Sequence, residues 1–324
     1  ATDMLMALSA ICHEDITPHD TLVVLDEIQN CPKALEALKF FCEETPEIDI
    51  VVAGSLLGLS IHSGVSYPVG KVEELHLYPM TFLEFLEAMG KTQLVNLLEN
   101  KNWTVINMLE TELISSLRQY YYVGGMPAAV LAHIEKKGWK EVRRIQQQII
   151  TDYRRDFSKH APTREIPRIN MVWDSIPAQL AKENKKFVYG AVKKSARAAD
   201  FEMAIQWLID AGLAYKVPRV NAPRLPLKFY EDISAFKLFM LDVGLMGAIA
   251  ETTAESVVVG DNIFSEYKGA FTELYVFTQL KALGYSLYYH AVDNSTIEID
   301  FLTQRDNQVI PIEVKAEVNV KAKS

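Results

Sequence analysis

The sequence predicts an α/β chain of several domains, and three observations carry that expectation. An unbroken apolar run, Leu22 to Leu25, ends in two carboxylates, Asp26 and Glu27; such a run suits a strand buried on both faces of a parallel sheet. A second apolar run, Ile48 to Ala53, ends in Gly54-Ser55, with helical spacing between the two runs. Near the far end, an amphipathic stretch at 270–283 precedes strand-like segments at 296–302 and 309–315. A chain of 324 residues has room for two or three domains with real cores.

With 49% apolar and 23% charged residues, the composition is that of a soluble globular protein. No apolar run approaches the length of a membrane span and no signal-peptide pattern opens the chain, so no membrane partner is expected. Cys12, Cys31 and Cys42 all lie in the first segment without zinc-ligand spacing. A reduced, cytoplasmic protein with buried thiols is expected. The net charge of −9 is uneven: residues 1–120 balance to −12, 121–230 to +10 and 231–324 to −7. Any polyanionic partner, DNA above all, is expected at the cationic middle.

Residues 1–20 read as a helix and a loop containing Pro18. The strand at 22–25 then sets Asp26 and Glu27 at its carboxyl end, where open α/β sheets place ligands. In a P-loop ATPase this is the Walker B arrangement. The first acid helps hold Mg²⁺, and the second orients or deprotonates the attacking water. Leu35, Leu38, Phe41 and Cys42 mark a helix over 33–44, with Pro32 near its start. Ser55, at the tip of the next strand, suits a sensor of the γ-phosphate or the water. A polar loop at 56–71 leads to a strand around Glu74 to Leu77, then to a helix with Thr81 as N-cap and Glu84 three residues on. No Gly-x-x-x-x-Gly-Lys-Ser/Thr occurs; Gly70-Lys71 is followed by Val72, where a hydroxyl is needed. The chain starts without Met and stops just after a strand-like segment, so a fragment is expected. By itself it should bind ATP poorly, lacking a backbone nest for phosphates.

Four motifs occur together: Leu-Asp-Glu-Ile-Gln-Asn-Cys-Pro at 25–32, Gly-Ser-Leu-Leu-Gly at 54–58, Tyr-Pro-Val-Gly-Lys-Val at 67–72 and Leu-Tyr-Pro-Met-Thr-Phe-Leu-Glu-Phe-Leu at 77–86. In this order they resemble the family of predicted prokaryotic AAA-type ATPases that carry a C-terminal domain of unknown function with a nuclease-like fold. The resemblance implies a Walker A loop upstream of residue 1, ATP and Mg²⁺ as cofactors, and nucleotide bound between subunits of a homo-oligomer. It implies Asp26 and Glu27 as Walker B, with Asp26 on the metal, and Ser55 as the sensor. It also sets Lys71 where a basic residue reaches a neighbouring subunit's nucleotide.

Residues 91–164 read as a helical lid. Leu94, Leu97 and Leu98 mark one helix, and Leu109, Leu113 and Leu117 another. Tyr120 to Pro127 reads as a helix end, a glycine turn and a new helix start. Arg143, Arg144, Arg154 and Arg155, interleaved with Asp152 and Asp156, read as solvent-facing or intrahelically paired charges. Over 165–245, helices at 176–184, 187–194 and 200–211 precede strands at 214–218 and 238–242 that flank a Pro-rich hairpin. This is the order of a winged helix. Lys182, Lys185, Lys186, Lys193, Lys194 and Arg197 surround its turn and suit phosphates. The candidate recognition helix carries Asp200, Glu202 and Asp210, which argues against base readout and for a docking role.

Residues 246–324 hold the second constellation. Glu273 lies on the amphipathic helix, Asp300 on the following strand, and Glu313 and Lys315, two apart, share a face of the last strand. An antiparallel neighbour brings Asp300 beside them. Two carboxylates suit Mg²⁺, and the ammonium suits charge on an attacked phosphate. The order Glu, Asp, Glu-x-Lys resembles a restriction-endonuclease-like core, with Ile299 in place of the usual Pro. The expected fold is therefore the distal part of a P-loop AAA-type parallel sheet over 1–90, then the lid, the winged helix and the nuclease-like α/β domain. The expected function is a Mg²⁺-dependent ATPase coupled to a DNA-binding unit. The alternatives are Mg²⁺-dependent DNA cleavage by Asp300, Glu313 and Lys315, and a non-catalytic binding module with vestigial sites.

Overall fold

The computed structural model describes residues 1–54, 70–182, 185–292 and 297–316. The chain divides into two compact units, Ala1–Leu77 with Ile209–Gly212, and Tyr78–Leu208 with Leu213–Ser324.

In the first unit, helix α1 (Thr2–Cys12) precedes strand β1 (Leu22–Leu25), helix α2 (Pro32–Glu44) and strand β2 (Asp49–Val52). β1 and β2 pair in parallel, from Leu22 opposite Asp49 to Leu25 opposite Val52, so α2 is the crossover of a βαβ unit. Ile28, Leu35, Leu38 and Phe41 form the core, against Met4, Leu5, Leu25, Ile50 and Val52. Three expectations are corrected here. β1 is not buried on both faces: Leu22 and Val24 are 57% and 59% exposed, because only the alternate residues Val23 and Leu25 turn toward packed side chains. The thiols of Cys12, Cys31 and Cys42 are exposed; Cys42 shares the face of Leu35 and Leu38 but lies in the last turn of α2. Residues 74–77 form no strand, and Leu75 and Leu77 are almost fully exposed.

The second unit begins with helices α3 (Phe82–Ala88), α4 (Thr92–Glu99), α5 (Trp103–Met108), α6 (Glu110–Val123), α7 (Pro127–Ile134) and α8 (Trp139–His160). Thr81 and Glu84 close a full capping box at the start of α3. Tyr120 sits in an aromatic core, edge-on to Phe82, Phe85 and Tyr275 with ring centroids 5.7, 5.4 and 5.9 Å away. Its hydroxyl donates to the Met80 carbonyl at 2.7 Å. α6 ends at Gly124, whose φ of +74° suits a residue without a Cβ; Gln146 donates to the freed carbonyls of Tyr122 and Val123.

Helices α9 (Ile166–Leu180), α10 (Tyr189–Val192) and α11 (Ala198–Asp210) follow, then strands β3 (Ala214–Val220) and β4 (Glu231–Met240). Helices α12 (Val243–Ile249) and α13 (Asn262–Ala282) lead to β5 (Tyr288–Ala291), β6 (Glu298–Arg305) and β7 (Gln308–Ile312). One five-stranded sheet runs in the order β4-β3-β5-β6-β7. It is mixed: β3 meets β5 in parallel at Arg219 and Tyr289, and the other pairs are antiparallel. The β3-β4 hairpin and the strands of the last segment thus share one sheet.

Candidate functional sites

Asp26 and Glu27 follow β1 directly and are exposed. The Asp26 carboxylate accepts the Glu27 amide N–H at 2.9 Å. Glu27 holds a left-handed backbone, φ 50° and ψ 42°, which turns the chain sharply off the strand. Gln29 Nε2 donates to Glu27 Oε2. The turn is fixed by two bonds between strand ends, Ile28 N to Ala53 O and Ala53 N to Leu25 O, at 3.0 and 2.9 Å. The two acids therefore project beyond the carboxyl edge of a parallel strand pair, and an oxygen-only donor set there suits Mg²⁺. Lys71 pairs with Glu43 of α2 at 3.3 Å. Ser55 lies outside the described residues.

One tripeptide, Gly90-Lys91-Thr92, has the Gly-Lys-hydroxyl order that ends a phosphate loop, and Phe85 stands where the first glycine would be. It forms the turn between α3 and α4. The Lys91 amide donates to Leu86 O, and its ammonium bonds Glu112 and Ser116 Oγ, the latter at 2.9 Å. That lysine is committed to holding helices together.

In the last sheet, Phe301 faces Ile312 across β6 and β7, which carries Asp300 alongside the start of the following segment. Asp300 Oδ2 accepts the Val314 amide at 2.8 Å. Glu313 and Lys315 bond each other on the exposed side; that bond, the largest cause, raises the Lys315 pKa. Glu273, 1% exposed, faces two lysines. Its Oε1 accepts Lys237 Nζ at 2.9 Å, and its Oε2 accepts Lys185. Lys237 also reaches Glu298 Oε1 at 2.7 Å and lies 4.0 Å from Asp300 Oδ1. Burial, the largest influence, lowers the Lys237 pKa; Glu273 and Glu298 together outweigh it, and the net shift is upward. Lys237 and Glu298 escaped the sequence reading. The signals were present: Lys237 interrupts the apolar run Ala235 to Met240, and Glu298 lies two before Asp300, on its face of the strand. Among the described residues, no group of three or more His, Cys, Asp or Glu side chains is arranged to hold a metal.

Around the helical turn of the middle segment, Lys182, Lys193, Lys194 and Arg197 are exposed, whereas Lys185 turns inward to Glu273. Arg144 and Arg155 form i,i+3 pairs with Glu141 and Asp152, as the spacing predicted. Arg143 instead donates to Thr252 O at 2.8 Å and lies over the Tyr122 ring.

A family model described as an AAA domain matches residues 2–86. Two domains of unknown function match further on, DUF8612 at 114–256 and DUF4143 at 268–324. These matches support an AAA-type ATPase-like protein with a C-terminal domain of unknown function. Neither a curated protein nor a solved structure matches the chain. Among the described residues, no helix is long and apolar enough to cross a membrane.

Proposed function

We propose that the intact protein hydrolyses ATP with Mg²⁺, using the acid pair beyond β1. The observation that carries this reading is the position of Asp26 and Glu27 at the carboxyl end of a parallel βαβ unit within the AAA-matched segment. Asp26 is assigned to the metal and Glu27 to the water. Gln29 holds Glu27 Oε2, which leaves Oε1 as the oxygen assigned to take the water's proton. Bound Mg²⁺ would supply neutralising charge to the phosphates. Ser55 is assigned to sensing and Lys71 to a neighbouring subunit's nucleotide, so the reading includes a homo-oligomer, in the cytoplasm. The test is Mg²⁺-dependent ATP turnover by the protein from its complete reading frame. Asp26→Asn should abolish the Mg²⁺-dependent rate, and an unchanged rate would remove Asp26 from the site.

The same reading assigns a winged helix to 165–245 and a nuclease-like fold to 246–324, with DNA as partner. It is supported by the helix order α9, α10, α11 before the β3-β4 hairpin and by the exposed Lys182, Lys193, Lys194 and Arg197. Binding should be blind to sequence and weaken steeply with salt. Replacing Lys193 and Lys194 with Ala should flatten the slope of log affinity against log salt by about one for each phosphate no longer neutralised. An unaltered slope would point to a protein-docking role for this segment.

A further inference from the structure

We infer that the carboxylate cluster of the five-stranded sheet is closed by its own lysines and takes no divalent cation, so that the sheet is joined there and does not cleave DNA. Mg²⁺ needs a near-octahedral set of oxygens at about 2.0–2.1 Å. Here the centre of the cluster is already a cation. Lys237 Nζ lies 2.9 Å from Glu273 Oε1, 2.7 Å from Glu298 Oε1 and 4.0 Å from Asp300 Oδ1. The other expected donors are committed as well. Glu273 Oε2 holds Lys185, Asp300 Oδ2 accepts the Val314 amide at 2.8 Å, and Glu313 pairs with Lys315. The two lysines cannot both stay while a dication enters. The Lys237 side chain is fully buried, and its ammonium lies 5.0 Å from the centre of the Tyr289 ring.

The cluster joins four separate parts of the chain: the segment before α10 through Lys185, β4 through Lys237, α13 through Glu273, and β6 through Glu298 and Asp300. Buried ion pairs add little net stability over apolar packing, but losing one partner is costly. Such a joint fixes register and does no chemistry. Lys315, the ammonium expected at an attacked phosphate, is held by Glu313.

The test is Mn²⁺ binding by the full chain without nucleotide, read from the electron paramagnetic resonance of free Mn²⁺. An Asp26→Asn background excludes the acid pair beyond β1. In that background, adding Asp300→Asn should leave Mn²⁺ binding unchanged, and plasmid in Mg²⁺ should be nicked no faster by either protein. A tenfold or greater loss of Mn²⁺ affinity on adding Asp300→Asn would overturn the inference. Lys237→Met, which removes the resident cation, should gain a Mn²⁺ site that Asp300→Asn removes again. A folded Lys237→Met protein with no such gain would contradict the idea that the ammonium occupies the metal's place. A Lys237→Met chain that circular dichroism shows unfolded would support the joint.

Discussion

Lowering the pH from 7 to 4 is expected to strengthen the second unit through a single carboxyl group, that of Asp242. The residue is 1% exposed and caps α12. It accepts the Gly125 amide at 2.6 Å and the Leu245 amide at 2.8 Å. Burial pushes its pKa up from 3.8 to about 6, and the amides of Gly125, Leu245 and Gly244 only partly oppose this. At about 1.36 kcal/mol per pH unit, the displacement corresponds to roughly 3 kcal/mol. The folded carboxyl holds its proton more tightly than the unfolded one. The stabilisation is therefore complete below about pH 4 and is lost as the pH rises through about 6. All four tryptophans, at 103, 139, 173 and 207, lie in this unit, so their fluorescence reports its unfolding in urea. Asp242→Asn stays neutral throughout. The unfolding free energy of the wild type minus that of the variant should fall by about 2.4 kcal/mol between pH 4 and 7.5. Parallel curves for the two proteins would refute the assignment of the titration to Asp242.

The packing around Asp242 leaves no space for added side chains. A Cβ on Gly125 would lie 2.2 Å from the Met80 carbonyl oxygen, so Gly125→Ala should cost about 1–3 kcal/mol in urea unfolding, or more if the turn cannot shift. Thr81→Ala removes the hydroxyl of the capping box and should cost about 1 kcal/mol by the same assay. In the first unit, Phe41→Ala empties the centre of a small core and should cost about 3–5 kcal/mol, read from amide exchange over 22–52.

Local chemistry was legible in the sequence. Thr81 and Glu84 announced a helix start, and Gly124 and Pro127 announced a turn, because the partners lie within a few residues of one another. The βαβ unit was legible from two apolar runs and the spacing of Leu35, Leu38 and Phe41. Partners distant along the chain were not. Lys237 finds its carboxylates on α13 and β6, and nothing near residue 237 foretells them. The strand expected at 238–242 began one residue too late to include it; β4 spans Glu231–Met240. Helical spacing set Cys42 on the face of Leu35 and Leu38, yet its thiol is exposed in the last turn of α2, because spacing does not say where along a helix the covering residues stop. The candidate acid pair was legible because it stands at a strand end, where a short motif and the ligand edge of a sheet coincide.

The most direct measurement is ATP hydrolysis by the protein from its complete reading frame, wild type against Glu27→Gln, with nucleotide affinity measured beside it. Loss of a base at the water should lower turnover by about 10²–10⁴-fold while ATP binding holds. Turnover that survives the substitution would leave the acids beyond β1 without a part in catalysis.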